Sequence, residues 1–266
     1  MSASRTPESA LEGIAGWEHA IIRELSGGMS NRTYLVEAHG HRAVLKIDDL
    51  PRTAPFNSRE AEARVQTAAA AQDMAGRVLF VDEQTYLSEY LEGQVWGAGD
   101  LLLRQNLIDL AAALKRLHAL PLTGRNFDAA SAARRYRASI ADSEDGLARH
   151  CAQIVTSMRA PQILKCCHND LVAENIIRAR HLCFLDWEYA CDNDPFFDLA
   201  TIIAHHELQD DQADLLLNAY CDGDGARWRP HLQEQMRLYD ALHWLWLAAR
   251  TDSDDALLAR IAGRFL

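Results

Sequence analysis

The sequence predicts an α+β chain, a small β-rich lobe followed by a larger helical one, on three observations. Before residue 92, short β-like runs alternate with clusters of turn formers. From Asp100 onward leucines recur at helical spacing, and one short β-like pair, residues 176–177 and 183–185, interrupts the helices. A boundary near residue 92 is therefore expected, with 1–92 and 93–266 as the two lobes.

The elements follow in order. Residues 20–25, 33–38 and 43–47 read as strands, separated by Ser26-Gly27-Gly28-Met29-Ser30-Asn31 and His39-Gly40-His41, so an antiparallel meander is expected. Residues 58–72 hold Glu, Arg and many alanines without Pro or Gly, which favours a helix. Two more β-runs, 77–81 and 85–91, meet at Asp82-Glu83-Gln84 and complete a five-stranded sheet with one inserted helix. Leu107, Leu110, Leu114 and Leu117 form one buried helix stripe, and residues 130–158 and 229–249 also read as helical. The polar turn 178–181 closes the late β-pair into a hairpin.

Composition bounds the partners. With 27 Lys plus Arg against 38 Asp plus Glu the net charge is −11, which repels nucleic acid and anionic membrane and suits a neutral or cationic small molecule. No apolar run reaches the ~18–20 residues of a membrane span. The N-terminus is polar and has no secretory h-region, and the six cysteines show no C-x-x-C spacing. Reduced thiols in a cytoplasmic protein are the expectation.

The chemistry concentrates in Cys167-His168-Asn169-Asp170 through Asn175-Ile176-Ile177, and in Leu185-Asp186-Trp187-Glu188-Tyr189 after the hairpin. A tight hairpin brings its ends together, so Asp170, Asn175 and Asp186 are expected at one mouth. Oxygen donors without His or Cys suit Mg²⁺ bound with phosphates. Cys166-Cys167-His168 is set aside as a metal site, because adjacent residues on an extended segment face opposite ways and no fourth ligand is spaced nearby. Lys46 lies in the apolar run Val44-Leu45-Lys46-Ile47 and needs a partner, which Glu60 or Glu62 on the next helix could supply.

The H-x-D-x4-N pattern followed by a strand-ending Asp resembles the catalytic loop and metal-binding Asp of protein-kinase-like phosphotransferases. More narrowly, HND-x4-NII, LDWEYA and NDPFFDLA are similar to the choline/ethanolamine kinase group, whose near relatives are thiamine kinases and aminoglycoside phosphotransferases. The resemblance implies a protein-kinase-like two-lobed fold with ATP and Mg²⁺ as cofactors. It implies that Asp170 orients the acceptor hydroxyl and takes its proton, that Asn175 and Asp186 bind Mg²⁺, and that His168 supports the loop. Ser26, Gly27, Gly28, Ser30 and Asn31 would form a GG-x-SN phosphate loop, with Lys46 on the phosphates and Glu62, ahead of Glu60, as its partner. Glu89, Tyr90 and Leu91 would be the hinge that hydrogen-bonds adenine. Asp198 would cap a helix and steady the catalytic loop.

For the acceptor, choline and thiamine are cations held by aromatic faces and carboxylates. Trp187, Glu188, Tyr189, Glu207 and Trp246 are the candidates. Trp244 and Trp246 stand about 200° apart on a helix and cannot share a pocket, so Trp246 is preferred. His243 stands where a W-x-x-W pair would put its first tryptophan. The expected activity is an ATP- and Mg²⁺-dependent kinase for a small cationic alcohol, choline first, then ethanolamine or thiamine. An aminoglycoside or sugar phosphotransferase is the alternative. A pseudokinase or nucleotide-binding module is disfavoured because Lys46, Asp170, Asn175 and Asp186 are all present.

Overall fold

A computed structural model describes residues 5–25, 32–50, 52–54, 57–140, 146–251 and 254–265. The chain divides into two compact units, Met1–Trp96 with Glu174–Ala190, and Gly97–Ala173 with Cys191–Leu266. The first unit runs to Trp96 and also takes in the late hairpin, which the sequence places in the second lobe.

The first unit opens with a short helix, α1 (Pro7–Leu11), capped by Thr6 and started by Pro7 at its first turn. The strands β1 (Ile21–Leu25), β2 (Arg32–Ala38) and β3 (His41–Ile47) pair as an antiparallel meander. Short strands β4 (Thr53–Ala54) and β5 (Asn57–Ser58) lead into α2 (Arg59–Ala70), whose Ala61 amide is capped by the Ser58 hydroxyl. The strands β6 (Val78–Val81) and β7 (Thr85–Glu89) complete a five-stranded sheet in the order β1-β2-β3-β7-β6. Alternation sets its buried face: Val36, Ala43, Leu45, Ile47 and Leu87 close a core against Ala10 and Leu11 of α1.

After β8 (Gln94–Val95), the same unit gains β10 (Ile176–Arg178) and β11 (Leu182–Phe184), in the order β11-β10-β8. Gly93 lets β8 approach: a Cβ there would lie 2.5 Å from the Arg178 carbonyl oxygen. The Phe184 amide donates to the Met74 carbonyl at 2.8 Å, which ties this small sheet to the segment after α2.

The second unit is mainly helical: α3 (Arg104–Leu117), α4 (Ala129–Ser139), α5 (Gly146–Ser157), α6 (Phe196–His205), α7 (Asp210–Tyr220), α8 (Gly225–Ala248) and α9 (Asp255–Ala262). The helix α8 begins four residues before its expected start and accommodates Pro230 in its second turn. Two short strands, β9 (Lys165–Cys167) and β12 (Cys191–Asn193), pair antiparallel within it. Its core gathers α4, α5, α6 and α8 around Cys151, Phe197, Ala241 and Leu245. No helix among the described residues is long and apolar enough to cross a membrane. All six cysteines are free thiols.

Candidate active site

The first unit buries an ion network around Lys46. The Lys46 ammonium donates to Glu62 Oε1 at 3.0 Å and to Asp186 Oδ1 at 2.7 Å. Of the two candidate partners Glu62 faces inward at 1% exposure, whereas Glu60 is an exposed residue whose carboxylate meets Arg64. Burial alone would pull the Lys46 ammonium down, but the Asp186 and Glu62 carboxylates more than offset it and hold it above its ordinary value.

Around this pair lies a second layer that sequence reasoning missed. Arg59, fully buried, donates to Glu62 Oε2 at 2.6 Å and to both oxygens of Asp48. Arg52 bridges Asp48 at 2.8 Å and Glu188 at 2.5 Å. Among the described residues, Lys46, Arg52 and Arg59 thus face four carboxylates, Asp48, Glu62, Asp186 and Glu188, an excess of one negative charge. Glu188 reports that excess, its carboxyl being raised by burial and then by the Asp186 charge, against Arg52 and Lys46. A divalent cation would relieve it.

Asp186 has φ +57°, a left-handed conformation that Asp tolerates better than most residues, and is partly open to solvent. The Leu185 amide donates to the Asn175 carbonyl at 2.8 Å, so Asn175 and Asp186 emerge at one end of the β10–β11 hairpin. A carboxylate and a carboxamide fixed this way are hard oxygen donors, the set that fits Mg²⁺.

The hinge segment narrows to one donor. The Glu89 amide donates to the Arg77 carbonyl at 2.8 Å and the Tyr90 amide to the Arg42 carbonyl at 3.1 Å, so neither N–H is available for adenine. The Leu91 amide has no partner among the described residues. Ser26, Gly27, Gly28, Ser30 and Asn31 lie outside the described residues.

In the second unit, Asp170 ends the His168-Asn169-Asp170 loop. Asp198, in the first turn of α6, accepts from the His168 amide at 2.9 Å and from the Asn169 amide at 2.7 Å. It does not cap the helix, whose N-cap is Pro195. His118 Nε2 lies 3.0 Å from the same carboxylate, and its Nδ1 is 2.8 Å from the Tyr220 hydroxyl. Burial pushes the Asp198 carboxyl up, but the hydrogen bond and charge of His118 outweigh it, and the group stays below the usual carboxylate range. Asn169, at φ +65°, accepts from Asn193 Nδ2 at 2.7 Å, while Asp192 holds the Thr123 and Gly124 amides. The Asp-rich segment after the hairpin is thus a frame for the loop.

His118, Cys167 and Asp198 also bring one ligand atom each within 4.8 Å. All three are buried, Asp198 is saturated by the loop amides and His118, and burial drives the Cys167 thiol well up, so it stays protonated. The cluster is a hydrogen-bond network and not a metal centre.

The acceptor candidates need correction. Trp187 is fully buried, its indole N–H donating to the Phe184 carbonyl at 3.1 Å, so it offers no face to a cation. Glu188 is buried on Arg52. Tyr189 is half-buried on the same turn. Glu207 is neutralised by Arg260 at 2.8 Å and Arg264 at 2.6 Å, which also lower its carboxyl. Trp246 carries the Arg250 guanidinium over one face, 4.9 Å from the ring centre, and Trp244 belongs to the core.

The groups that sense Asp170 are others. Burial and then the Arg135 and Asp170 charges act on Tyr136, with a net rise. Tyr239 is raised by burial and then by Asp170, and its hydroxyl lies 2.9 Å from His205 Nδ1. His243 stacks on His205 at 5.4 Å. Tyr239, His243 and Trp246 recur at i, i+4 and i+7 on α8, a spacing that marks one helix face in the sequence itself.

A family model described as the phosphotransferase enzyme family matches residues 21–231. The chain belongs to that family. Protein LicA of Haemophilus influenzae is 34% identical over 219 residues, which make up 77% of this chain and 64% of that protein. The chain thus spans less than two thirds of that relative's length. Among solved structures, choline kinase LicA from Streptococcus pneumoniae superposes with a TM-score of 0.77 at 20% identity, covering 95% of this chain and 94% of that one. A choline/ethanolamine kinase family protein from Mesorhizobium loti gives 0.72 at 21% identity, covering 97% and 91%. LicA has also been solved in complex with AMP. These likenesses show a protein-kinase-like fold, a β-rich unit and a helical one, as the sequence predicts.

Proposed function

We propose that the chain is an ATP- and Mg²⁺-dependent kinase that phosphorylates the hydroxyl of a small cationic alcohol, with choline first. The observation that carries this reading is the convergence of the Glu62 and Asp186 carboxylates on the Lys46 ammonium, inside a network that is one negative charge in excess among the described residues. Bound Mg²⁺ would neutralise charge on the transferring phosphoryl group, held by Asn175 and Asp186. Lys46, kept charged by Glu62, positions the nucleotide phosphates, and the Leu91 amide is the donor left for adenine.

Asp170, on a loop fixed by Asp198, aligns the acceptor hydroxyl and takes its proton. Its charge beside Tyr136 and Tyr239 suits a quaternary ammonium, which carboxylates and aromatic faces hold together. These tyrosines join Tyr189 and Trp246 as acceptor-side residues, and the buried Trp187 drops out. LicA, a choline kinase in Streptococcus pneumoniae and solved elsewhere with AMP, supports the choice of nucleotide and of choline.

The test is ADP release by the purified chain with choline, ethanolamine, thiamine and an aminoglycoside. Choline is expected to give the highest kcat/KM. Asp170→Ala is expected to cut turnover by ~10²–10⁴-fold with ATP affinity unchanged. ATP binding without ADP release on any acceptor would point to a nucleotide-binding module instead, and full turnover by Asp170→Ala would overturn the mechanism.

A further inference from the structure

The helix α6 holds the Asp170 loop at two points. In its first turn Asp198 takes the His168 and Asn169 amides, just ahead of Asp170. One residue past its end, His206 Nε2 accepts from the Ala173 amide at 2.9 Å, just behind Asp170. Ala173 is fully buried, and its amide has no other acceptor among the described residues. A buried N–H left without an acceptor is costly, so the position of residue 173 depends on the imidazole. A helix rises about 1.5 Å per residue, which sets the two grips about 12 Å apart along α6, with Asp170 between them in the chain.

The direction of this bond fixes the chemical state of His206. A backbone amide only donates, so Nε2 must be bare and the ring neutral, with its proton on Nδ1. The surroundings aim the ring. The His206 amide donates to the Ile202 carbonyl at 3.2 Å, and the His205 ring stands edge-on at 4.8 Å. His205 is itself fixed by the Tyr239 hydroxyl, 2.9 Å from its Nδ1, and by the stacked His243 ring. Glu207, which follows, has φ +52°, a left-handed conformation that costs a glutamate energy and needs outside support. Arg260 and Arg264 supply it at 2.8 and 2.6 Å, and Arg264 also donates to the Ala204 carbonyl at 3.1 Å. Glu207 thus fixes the turn that presents His206 to the loop.

We propose that His206 is a positioning residue for phosphotransfer: as a neutral hydrogen-bond acceptor it pins Ala173, and through the loop it keeps the Asp170 carboxylate aligned with the acceptor hydroxyl. The role rests on the phosphotransfer reading of Asp170. It acts on the alignment of the reacting groups and not on the binding of nucleotide, so its loss lowers kcat and leaves the KM for ATP unchanged.

The test uses the full chain with choline, ethanolamine, thiamine and an aminoglycoside as acceptors. His206→Leu cannot accept a hydrogen bond. With the best acceptor its kcat is expected to fall roughly 10-fold at unchanged KM for ATP, and its Ala173 amide to exchange with solvent roughly 10-fold faster. His206→Gln, whose Oε1 can stand in for Nε2, is expected to bring both to within roughly 3-fold of wild type. Long-range proton–nitrogen correlation spectra of the wild type, at the pH of the assay, are expected to show a neutral His206 with the proton on Nδ1. The spectra and the glutamine variant decide the matter even where the leucine variant fails to fold. A proton on Nε2, or a glutamine variant with kcat roughly 10-fold below wild type, would overturn the proposal. A wild type that turns over while His206→Leu matches its kcat would overturn this role alone. A wild type that releases ADP with none of the acceptors would overturn the phosphotransfer reading, and this role with it.

Discussion

Asp198 keeps its charge without any exposure because two loop amides and His118 converge on it. Asp198→Asn would put an amide N–H₂ where acceptors are needed, at a cost of about 2–4 kcal/mol measured by urea unfolding at pH 7. The Asp198 carboxyl is lower folded than unfolded, so its contribution is present above 3.8 and is lost as pH falls below it; Asn abolishes that loss. An Asn variant as stable as wild type at pH 7 would show that the loop is held otherwise. His243 titrates in a different window. Burial, then His205, Arg264 and Arg260, push its imidazole down to about 4 from 6.5. The folded state therefore keeps it neutral, and stability present above 6.5 is lost as pH falls from 6.5 towards 4, by up to ~3 kcal/mol. His243→Phe, set between Tyr239 and Trp246, is expected to remove most of that acid sensitivity between pH 7.5 and 4.5. Identical pH profiles for the two proteins would contradict the assignment.

At the level of elements, the meeting of β8 with β10 depends on the missing side chain of Gly93. Gly93→Ala would drive a Cβ into the Arg178 carbonyl and separate the strands, costing about 1–3 kcal/mol in a thermal melt. An unchanged melting temperature would mean that the backbone yields freely there. What the sequence discloses about such elements follows from the range of the physics. Alternation in residues 33–47 and the leucine stripe of α3 are local periodicities, and both elements are where they were expected. The need of Lys46 for a carboxylate is legible too, because a lysine in an apolar strand must find one. The five-residue helix α1 carries too few turns to show a period. Arg59 and Asp48 look like surface charges until the chain folds them together. Trp187 misleads for the same reason: after the left-handed turn at Asp186, its ring points inward, where an exposed aromatic beside a metal-binding residue would suggest a ligand. Tyr136 shares no spacing with Asp170, and only tertiary structure relates the two.

For the molecule as a whole, the chain leaves the first unit after Trp96 and re-enters it for Glu174–Ala190. Those seventeen positions supply β10, the partner of β8; the Phe184 amide that meets Met74; and Asp186 and Glu188, which answer Lys46 and Arg52. A fragment ending at Trp96 would keep Lys46, Arg52 and Arg59 against Asp48 and Glu62 alone, reversing the charge excess, and would leave the edge of β8 unpaired. Buried charges that lose a partner are strongly destabilising, and a contact between residues 46 and 186 must close a long loop before it stabilises anything. Residues 1–96 alone are therefore expected to show no cooperative near-ultraviolet melt. Adding a synthetic peptide of residues 174–190 in excess is expected to restore a transition whose midpoint rises with peptide concentration, as binding to the folded state requires. A cooperative melt of the fragment without peptide would mean that the five-stranded sheet and its α1 core suffice, and that the late hairpin serves the site without being needed for the fold.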